Sequence, residues 1–318
     1  MNEHNARVTD QPISTVIDLK TSTILVSAYT GLLFSVPLAP KIDVKGKSKE
    51  NSKLVQFEPS SIRTNEFDFL SMVSLKGIHQ SNIAVLLGEI NDLKTIKTFR
   101  YNAGLNEITE NDKLQVGVEA TTHTLIAVPD PIGGVLAIGE YIISYYDLSS
   151  PGSAPKELSI DPTVVTAFTF LENSYDHCMI GDAEGYLYML TFDITNLKVH
   201  QIHSRTIGQT CIPNSITDLG NDLFYIGSLQ GDPCVIRLNK VGAKFFVETL
   251  HTFSNLGPIV DFCLFDYDQQ GKQTMVCCSG VDKDGSLRVV ENGVGFLEQY
   301  ELNIPLITQV FPLIIPNK

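Results

Sequence analysis

The sequence predicts an all-β chain folded as a β-propeller, and three observations carry that prediction. A unit of two apolar runs joined by a short, glycine-bearing turn recurs at intervals of about 50 residues. The apolar runs are rich in Val, Ile, Leu, Tyr and Phe, as strands require, and helical periodicity is nearly absent. The turns carry the Asp, Asn and Gly that tight hairpins demand.

Taken in order, the first unit is ILVS-AYT-GLLFSV, with Ser27 and Gly31 bounding the turn. Two weaker copies lack the second glycine: AVLLG-EINDL at Gly88 and VLAIG-EYIIS at Gly139. CMIG-DAE-GYLYML follows at Gly181 and Gly185, then FYIG-SLQ-GDPCVI at Gly227 and Gly231. The last is VCCSG-VDKD-GSLRVV at Gly280 and Gly285. A preceding run, Ile259 to Phe265, makes this final stretch read as strand, turn, strand, turn, strand. The steps between units are 61, 51, 42, 46 and 53 residues, which suits four-stranded propeller blades better than the shorter solenoid repeats. The long first step has a simple cause: residues 37–53 hold several lysines, two prolines and a glycine, and read as a basic insertion loop. Glycine at the turns is expected to supply φ > 0 where the chain re-enters the strand. Apolarity on both faces of the paired runs marks them as strands buried between neighbouring blades. Only Thr64 to Ser74 reads equally as helix or strand.

Composition narrows the function. Hydrophobic residues make up 43% and charged residues 19%, enough for a packed core. No apolar run approaches the ~20 residues of a membrane helix. The N-terminus has no basic region followed by an apolar core, so no secretory signal is read there. Net charge is −13, from 36 acidic and 23 basic residues, which disfavours nucleic-acid binding by the chain itself. The absence of Trp excludes the WD-type propellers as a direct match. Six cysteines lie mostly in apolar runs and read as core thiols of a reducing compartment; Cys277 and Cys278 must point to opposite faces of their strand.

Reactive constellations are missing from the pattern. His200 and His203 fall on opposite faces of a strand, which argues against a shared metal. The acidic pairs Asp182 with Glu184, Asp266 with Asp268, and Asp282 with Asp284 sit at turns and read as turn formers. No nucleophile elbow, zinc-protease or phosphate-loop motif occurs, and the arginines are scattered. The sequence therefore implies no cofactor, no metal and no catalytic residue.

From Leu125 onward, IAVPDPIGGVLAIGEYIISYYD, IGDAEGYLYMLTF, LGNDLFYIGSLQGDPCVIRL and TFSNLGPIVDFCLFDYDQQGKQTMVCCSGVDKDGSLRVVENGVGFLEQ carry a resemblance. They resemble the family of the large subunit of the UV-damaged-DNA-binding complex, the adaptor of cullin-RING ubiquitin ligases. Scaffolds of pre-mRNA polyadenylation and splicing share its superfamily. The first ~120 residues are similar only in strand pattern and in GLLFSVPL. The resemblance implies one propeller domain over residues 1–318, the first of three in a longer parent. It implies about seven blades, so six units leave the copy incomplete, with strands missing at the N-terminus. It further implies a non-enzymatic scaffold in the nucleus, and also the cytoplasm, contacting nucleic acid only indirectly. Its partners would be substrate-receptor proteins and the parent's other propellers. The alternatives are a nucleic-acid-binding module or an RNA-processing scaffold of the same superfamily.

The resemblance also implies a partner site on one propeller face: Leu229 and Gln230 at one turn, Pro258, Ile259 and Val260 at a strand start, and Val281 and Asp282 at another turn. Leu229 at a hairpin tip is hard to bury within its own blade. Pro258 fixes φ and gives a rigid apolar shoulder. Alternation requires one of Ile259 and Val260 to enter the blade core. An amphipathic helix of the partner would lie across this surface.

Overall fold

A computed structural model describes residues 13–18, 21–38, 59–64, 68–75, 83–88, 94–148, 152–172, 174–242, 244–266, 271 and 273–291. The described chain forms six antiparallel sheets, each strand pairing with the next in sequence. The first sheet is Ser14–Asp18 (β1), Thr23–Tyr29 (β2), Leu32–Pro37 (β3) and Ser60–Arg63 (β4). The second is Asp68–Ser74 (β5), Ile83–Gly88 (β6), Lys94–Asn102 (β7) and Glu107–Val118 (β8). The third is Thr124–Ala127 (β9), Val135–Ile138 (β10), Ile142–Tyr146 (β11) and Lys156–Ser159 (β12). The fourth is Val165–Phe170 (β13), His177–Asp182 (β14), Tyr186–Thr195 (β15) and Lys198–Gln209 (β16). The fifth is Ser215–Gly220 (β17), Leu223–Gly227 (β18), Cys234–Val241 (β19) and Lys244–Thr252 (β20). Ile259–Phe265 (β21), Thr274–Ser279 (β22) and Ser286–Val290 (β23) make the sixth.

Each recurring unit of the sequence is the β2–β3-type hairpin at the middle of one sheet, and the fold is a β-propeller. Of the ambiguous stretch from Thr64 to Ser74, residues 68–74 form the strand β5. The first sheet has four strands. Among the described residues the three-stranded sheet is the last one. The basic insertion loop lies outside the described residues, apart from Pro37 and Leu38.

Strand alternation builds the core. On β6, Ile83, Val85 and Leu87 pack toward the first sheet, joining Leu25, Leu33 and Phe69. Their neighbours Ala84 and Leu86 turn the other way, onto Leu125, Val135 and Ala137 of the third sheet. The pattern repeats onward. Leu136 and Ile138 meet Cys178, Ile180 and Leu190 between sheets three and four. Met179, Leu187 and Met189 meet Phe224, Ile226 and Ile236 between sheets four and five. Central strands that serve two interfaces must be apolar on both faces, which is why IAVLL and VLAI read as continuous runs. A fully buried Leu, Ile or Phe contributes about 1.5–3 kcal/mol, so these four interfaces hold the array together.

The sixth sheet breaks the pattern. All seven residues of β21 are exposed, although the strand is as apolar as its counterparts. It is joined to the fifth sheet by hydrogen bonds and an ion pair at one end, and this polar seam positions the candidate site.

Candidate functional site at the seam between the fifth and sixth sheets

Three loops meet at this seam: the β18–β19 turn, the β20–β21 connection and the β22–β23 turn. The first is shaped by Ser228, whose Oγ accepts the amides of Gln230 at 3.3 Å and Gly231 at 3.1 Å, a local turn typical of serine. Asn214 Oδ1 accepts the Leu229 amide at 2.7 Å, fixing the tip from the preceding loop. The backbone is thus tied down while the Leu229 side chain stays 71% exposed.

Asn255 is the hub of the second loop. Its Nδ2 donates to the carbonyls of Ser228 and Gly231, at 3.3 and 3.1 Å. Its Oδ1 accepts the Gly257 amide at 3.0 Å, and its own amide donates to Asp232 Oδ1 at 2.9 Å. An asparagine suits this position because one side chain supplies donors and an acceptor together. Ser279 Oγ secures the same loop from the sixth sheet, reaching the carbonyls of Leu256 at 2.8 Å and Asn255 at 3.2 Å.

The third loop closes the seam. The Gly280 amide donates to the Pro258 carbonyl at 3.0 Å, and the Val281 amide to the Gln230 carbonyl at 3.3 Å. Asp282 to Asp284 form a single 3-10 turn, with Asp282 at φ 51°. Gly285, expected at φ > 0, sits instead at φ −63°, and Gly231 is likewise outside the left-handed region. Arg288 Nη2 pairs with Asp232 Oδ2 at 2.6 Å. Partial burial works against the Asp232 carboxylate, but the Arg288 hydrogen bond, the Asn255 amide and the Arg288 charge together outweigh it and hold the carboxyl below its usual range.

The structure therefore brings the sequence-predicted residues together. Gln230 is joined to Val281 and Pro258 to the adjacent Gly280 by backbone hydrogen bonds, with Leu229 and Asp282 at the exposed tips. One expectation fails: neither Ile259 nor Val260 enters a core, at 45% and 70% exposure. Alternation does set their directions, but among the described residues no apolar cluster fills the space beside β21. The Gln230 Oε1 atom is buried and finds no hydrogen-bond donor among the described residues. Asn255, Ser279, Asp232 and Arg288, which build the seam, were not singled out by sequence reasoning. SNLGPIVD contained the first of them, but nothing in the spacing marked it as a hub.

Elsewhere, an open cleft of about 390 Å³ lies between β12 and β16, against Ile160, Asp161, Tyr188 and Thr206. Burial, together with the hydrogen bond to Asp182, pushes the Tyr188 phenol up, so it remains a protonated donor. No group of three His, Cys, Asp or Glu side chains placed to hold a metal occurs among the described residues.

This geometry is that of a β-propeller unit whose last sheet is tied on by polar contacts beside exposed apolar side chains. The chain belongs to the RSE1/DDB1/CPSF1 first β-propeller family, whose sequence pattern matches residues 11–273. It is 33% identical over 306 residues to DNA damage-binding protein 1b of Arabidopsis thaliana, which covers 96% of this chain and 27% of that protein. It is 32% identical to DNA damage-binding protein 1 of Oryza sativa subsp. japonica and 33% to that of Solanum lycopersicum, over the same 306 residues. The chain thus spans about a quarter of the length of these curated relatives. The likeness also runs through the first 120 residues, further than the strand pattern and GLLFSVPL alone suggested.

Proposed function

We propose that the chain is a protein-interaction scaffold, the receptor-docking first propeller of a nuclear adaptor that serves a cullin-RING ubiquitin ligase in the response to DNA damage. The observation that carries this reading is the seam. Its backbone is cross-tied, yet Leu229, Leu256, Ile259 and Val260 around Pro258 are exposed to solvent. Exposed apolar side chains on a fixed backbone favour binding, because little conformational freedom remains to be lost. An amphipathic helix fits such a surface, its apolar stripe on Leu229 and Val260 and its polar side toward Asp261 and Asp282. The names of the relatives supply the link to DNA damage; the ligase role follows from the family resemblance.

The test is the pair Leu229→Glu and Val260→Glu in the otherwise intact chain. Both side chains are solvent-exposed, so folding should survive, and thermal melts check that it does. Receptor proteins retained by the unchanged chain should be lost from the doubly substituted one. Retention at undiminished affinity by a folded variant would place docking elsewhere.

The alternative is direct nucleic-acid binding, and the relatives' name is what favours it. A net charge of −13 speaks against it. Mobility shift of a damaged duplex at physiological salt decides between the two readings: the scaffold reading expects no shift at submicromolar protein.

A further inference from the structure

We propose that Cys211 and Cys234 form a peroxide-sensitive disulfide pair, which fastens the β16–β17 connection to the strand behind the Leu229–Gln230 turn. The two residues belong to different elements. Cys234 opens β19 and is buried; Cys211 lies in the connection after β16 and is half-buried against the same apolar cluster. The β22–β23 turn draws their segments together. Asp284 Oδ2 accepts the Ile212 amide at 2.9 Å, and Lys283 Nζ donates to the Thr210 carbonyl. Gly231 lies so close to the same Asp284 that a Cβ there would stand 2.7 Å from the Asp284 Cβ. Residues flanking both cysteines are thus clamped to one turn, and both side chains pack in one apolar cluster with their thiols within reach of each other.

The two sulfurs are not equivalent. The Cys211 thiol and the Cys211 amide both donate to the Cys234 sulfur, and the Lys283 ammonium is near. These contacts, the Cys211 hydrogen bond first, hold the Cys234 thiol below its ordinary range, against the burial and the Asp284 carboxylate that oppose them. Cys211, which gives its hydrogen bond to Cys234 and is partly buried, is pushed up and keeps its proton. Cys178 is the contrast: it is buried with no such donors, and burial alone pushes its thiol up.

The oxidant is hydrogen peroxide, small enough to reach a buried sulfur. The Cys234 thiolate attacks one peroxide oxygen, the O–O bond breaks, and the departing hydroxide takes a proton to leave as water. Cys234 is then a sulfenic acid. The Cys211 sulfur attacks Cys234, the S–O bond breaks, and the leaving hydroxide departs as water with the Cys211 proton. Two thiols are oxidised to one disulfide, and one peroxide is reduced to two waters. The proposal is independent of the docking role of the neighbouring turn.

The experiment treats the whole chain with hydrogen peroxide under native conditions, unfolds it, blocks free thiols with iodoacetamide and digests it with trypsin. Arg205 and Arg237 bound a fragment, residues 206–237, whose cysteines are Cys211 and Cys234. The expected result is that this fragment becomes lighter by two hydrogens and carries no alkyl group. A further cut beside Asp218 or Asp222 should separate its halves only after reduction. Cys211→Ser should abolish the product and leave Cys234 as sulfenic acid or a higher oxide. The proposal is overturned if residues 206–237 still take up two alkyl groups while the exposed Cys263 or Cys278 has oxidised. It is also overturned if Cys234 is found linked to a different cysteine. The mapping on the unsubstituted chain decides the matter even if Cys211→Ser fails to fold.

Discussion

Arg288 on β23 reaches Asp232, beyond the β18–β19 turn, with Nη2 and Oδ2 2.6 Å apart, and this is the ion pair that holds the sixth sheet to the fifth. Both side chains are partly exposed, so the pair is worth about 0.5–1 kcal/mol at neutral pH. Its pH dependence follows from the depressed Asp232 carboxyl, whose ordinary value is 3.8. A carboxyl lowered in the folded state stabilises above its unfolded value and loses that contribution as pH falls through the folded one. Arg288→Ala should therefore be less stable than the unchanged chain at pH 7, by about 0.5–1 kcal/mol, with the gap closing as the pH falls below the ordinary carboxyl value of 3.8. Chemical denaturation of both proteins at the two pH values measures it. A gap that persists unchanged in acid would mean Arg288 acts by packing.

Asp182 ends β14 with a side chain only 1% exposed, and four donors surround it. Oδ1 accepts the amides of Glu184 at 3.0 Å and Tyr186 at 2.8 Å; Oδ2 accepts Thr163 Oγ1 at 2.9 Å and Tyr188 OH at 3.0 Å. Removing the carboxylate strands these groups away from water. Asp182→Ala should cost about 2–4 kcal/mol. Asp182→Asn should cost nearer 1 kcal/mol, because the amide oxygen can still take the two backbone donors and both hydroxyls can accept. Equilibrium unfolding of the two variants provides the comparison, and equal losses would contradict the assignment.

The difference between Asp182 and Cys211 says why some of this molecule was legible in its sequence and some was not. Asp182 opens a type I turn, and its role in closing the β14–β15 hairpin follows from local chemistry, as the 3.0 Å hydrogen bond from the Gly185 amide to its carbonyl bears out. The six central hairpins were readable as pairs of apolar runs on either side of a short polar turn. So were the opposed directions of Cys277, buried, and Cys278, exposed, since strand alternation decides them. Contacts between sheets were not readable. Cys211 meets Cys234, Ile212 meets Asp284 and Asn255 meets Gly231 only because blades stand side by side, and no sequence interval encodes that. The failure at Ile259 and Val260 has the same origin: alternation gives direction, but burial depends on what stands opposite.

The turn glycines illustrate a right residue expected for a partly wrong reason. Gly31 is in the left-handed region at φ 70°, and a Cβ there would meet nothing nearer than the Thr64 carbonyl at 3.6 Å. Gly231 needs no unusual φ; it is small because Asp284 lies against it. Gly31→Ala should cost about 1–2 kcal/mol, and Gly31→Asn should recover part of that, since asparagine tolerates this region. Gly231→Asn should be worse than Gly231→Ala, because each added atom pushes Asp284 away from the Ile212 amide. Melting temperatures of the four variants give the two orderings, and opposite rankings at the two sites are the signature to look for.

The face of β23 that carries Leu287 and Val289 is open among the described residues, with the two side chains 73% and 64% exposed. Their cross-strand partners on β22 are Cys278, also exposed, and the half-buried Val276, so this side of the sheet is largely open. Corresponding faces of the other sheets are buried in apolar clusters, where each such side chain contributes about 1.5–3 kcal/mol. An open apolar sheet face, beside a strand edge that is unpaired among the described residues, favours association with another chain. This chain by itself is therefore expected to self-associate, with sedimentation coefficients that rise with concentration. Leu287→Lys combined with Val289→Lys should shift it toward monomer and change its stability by less than about 0.5 kcal/mol, since neither side chain is buried in the monomer. A chain that sediments as a monomer at every concentration, or a double variant that unfolds, would show that this face is already covered.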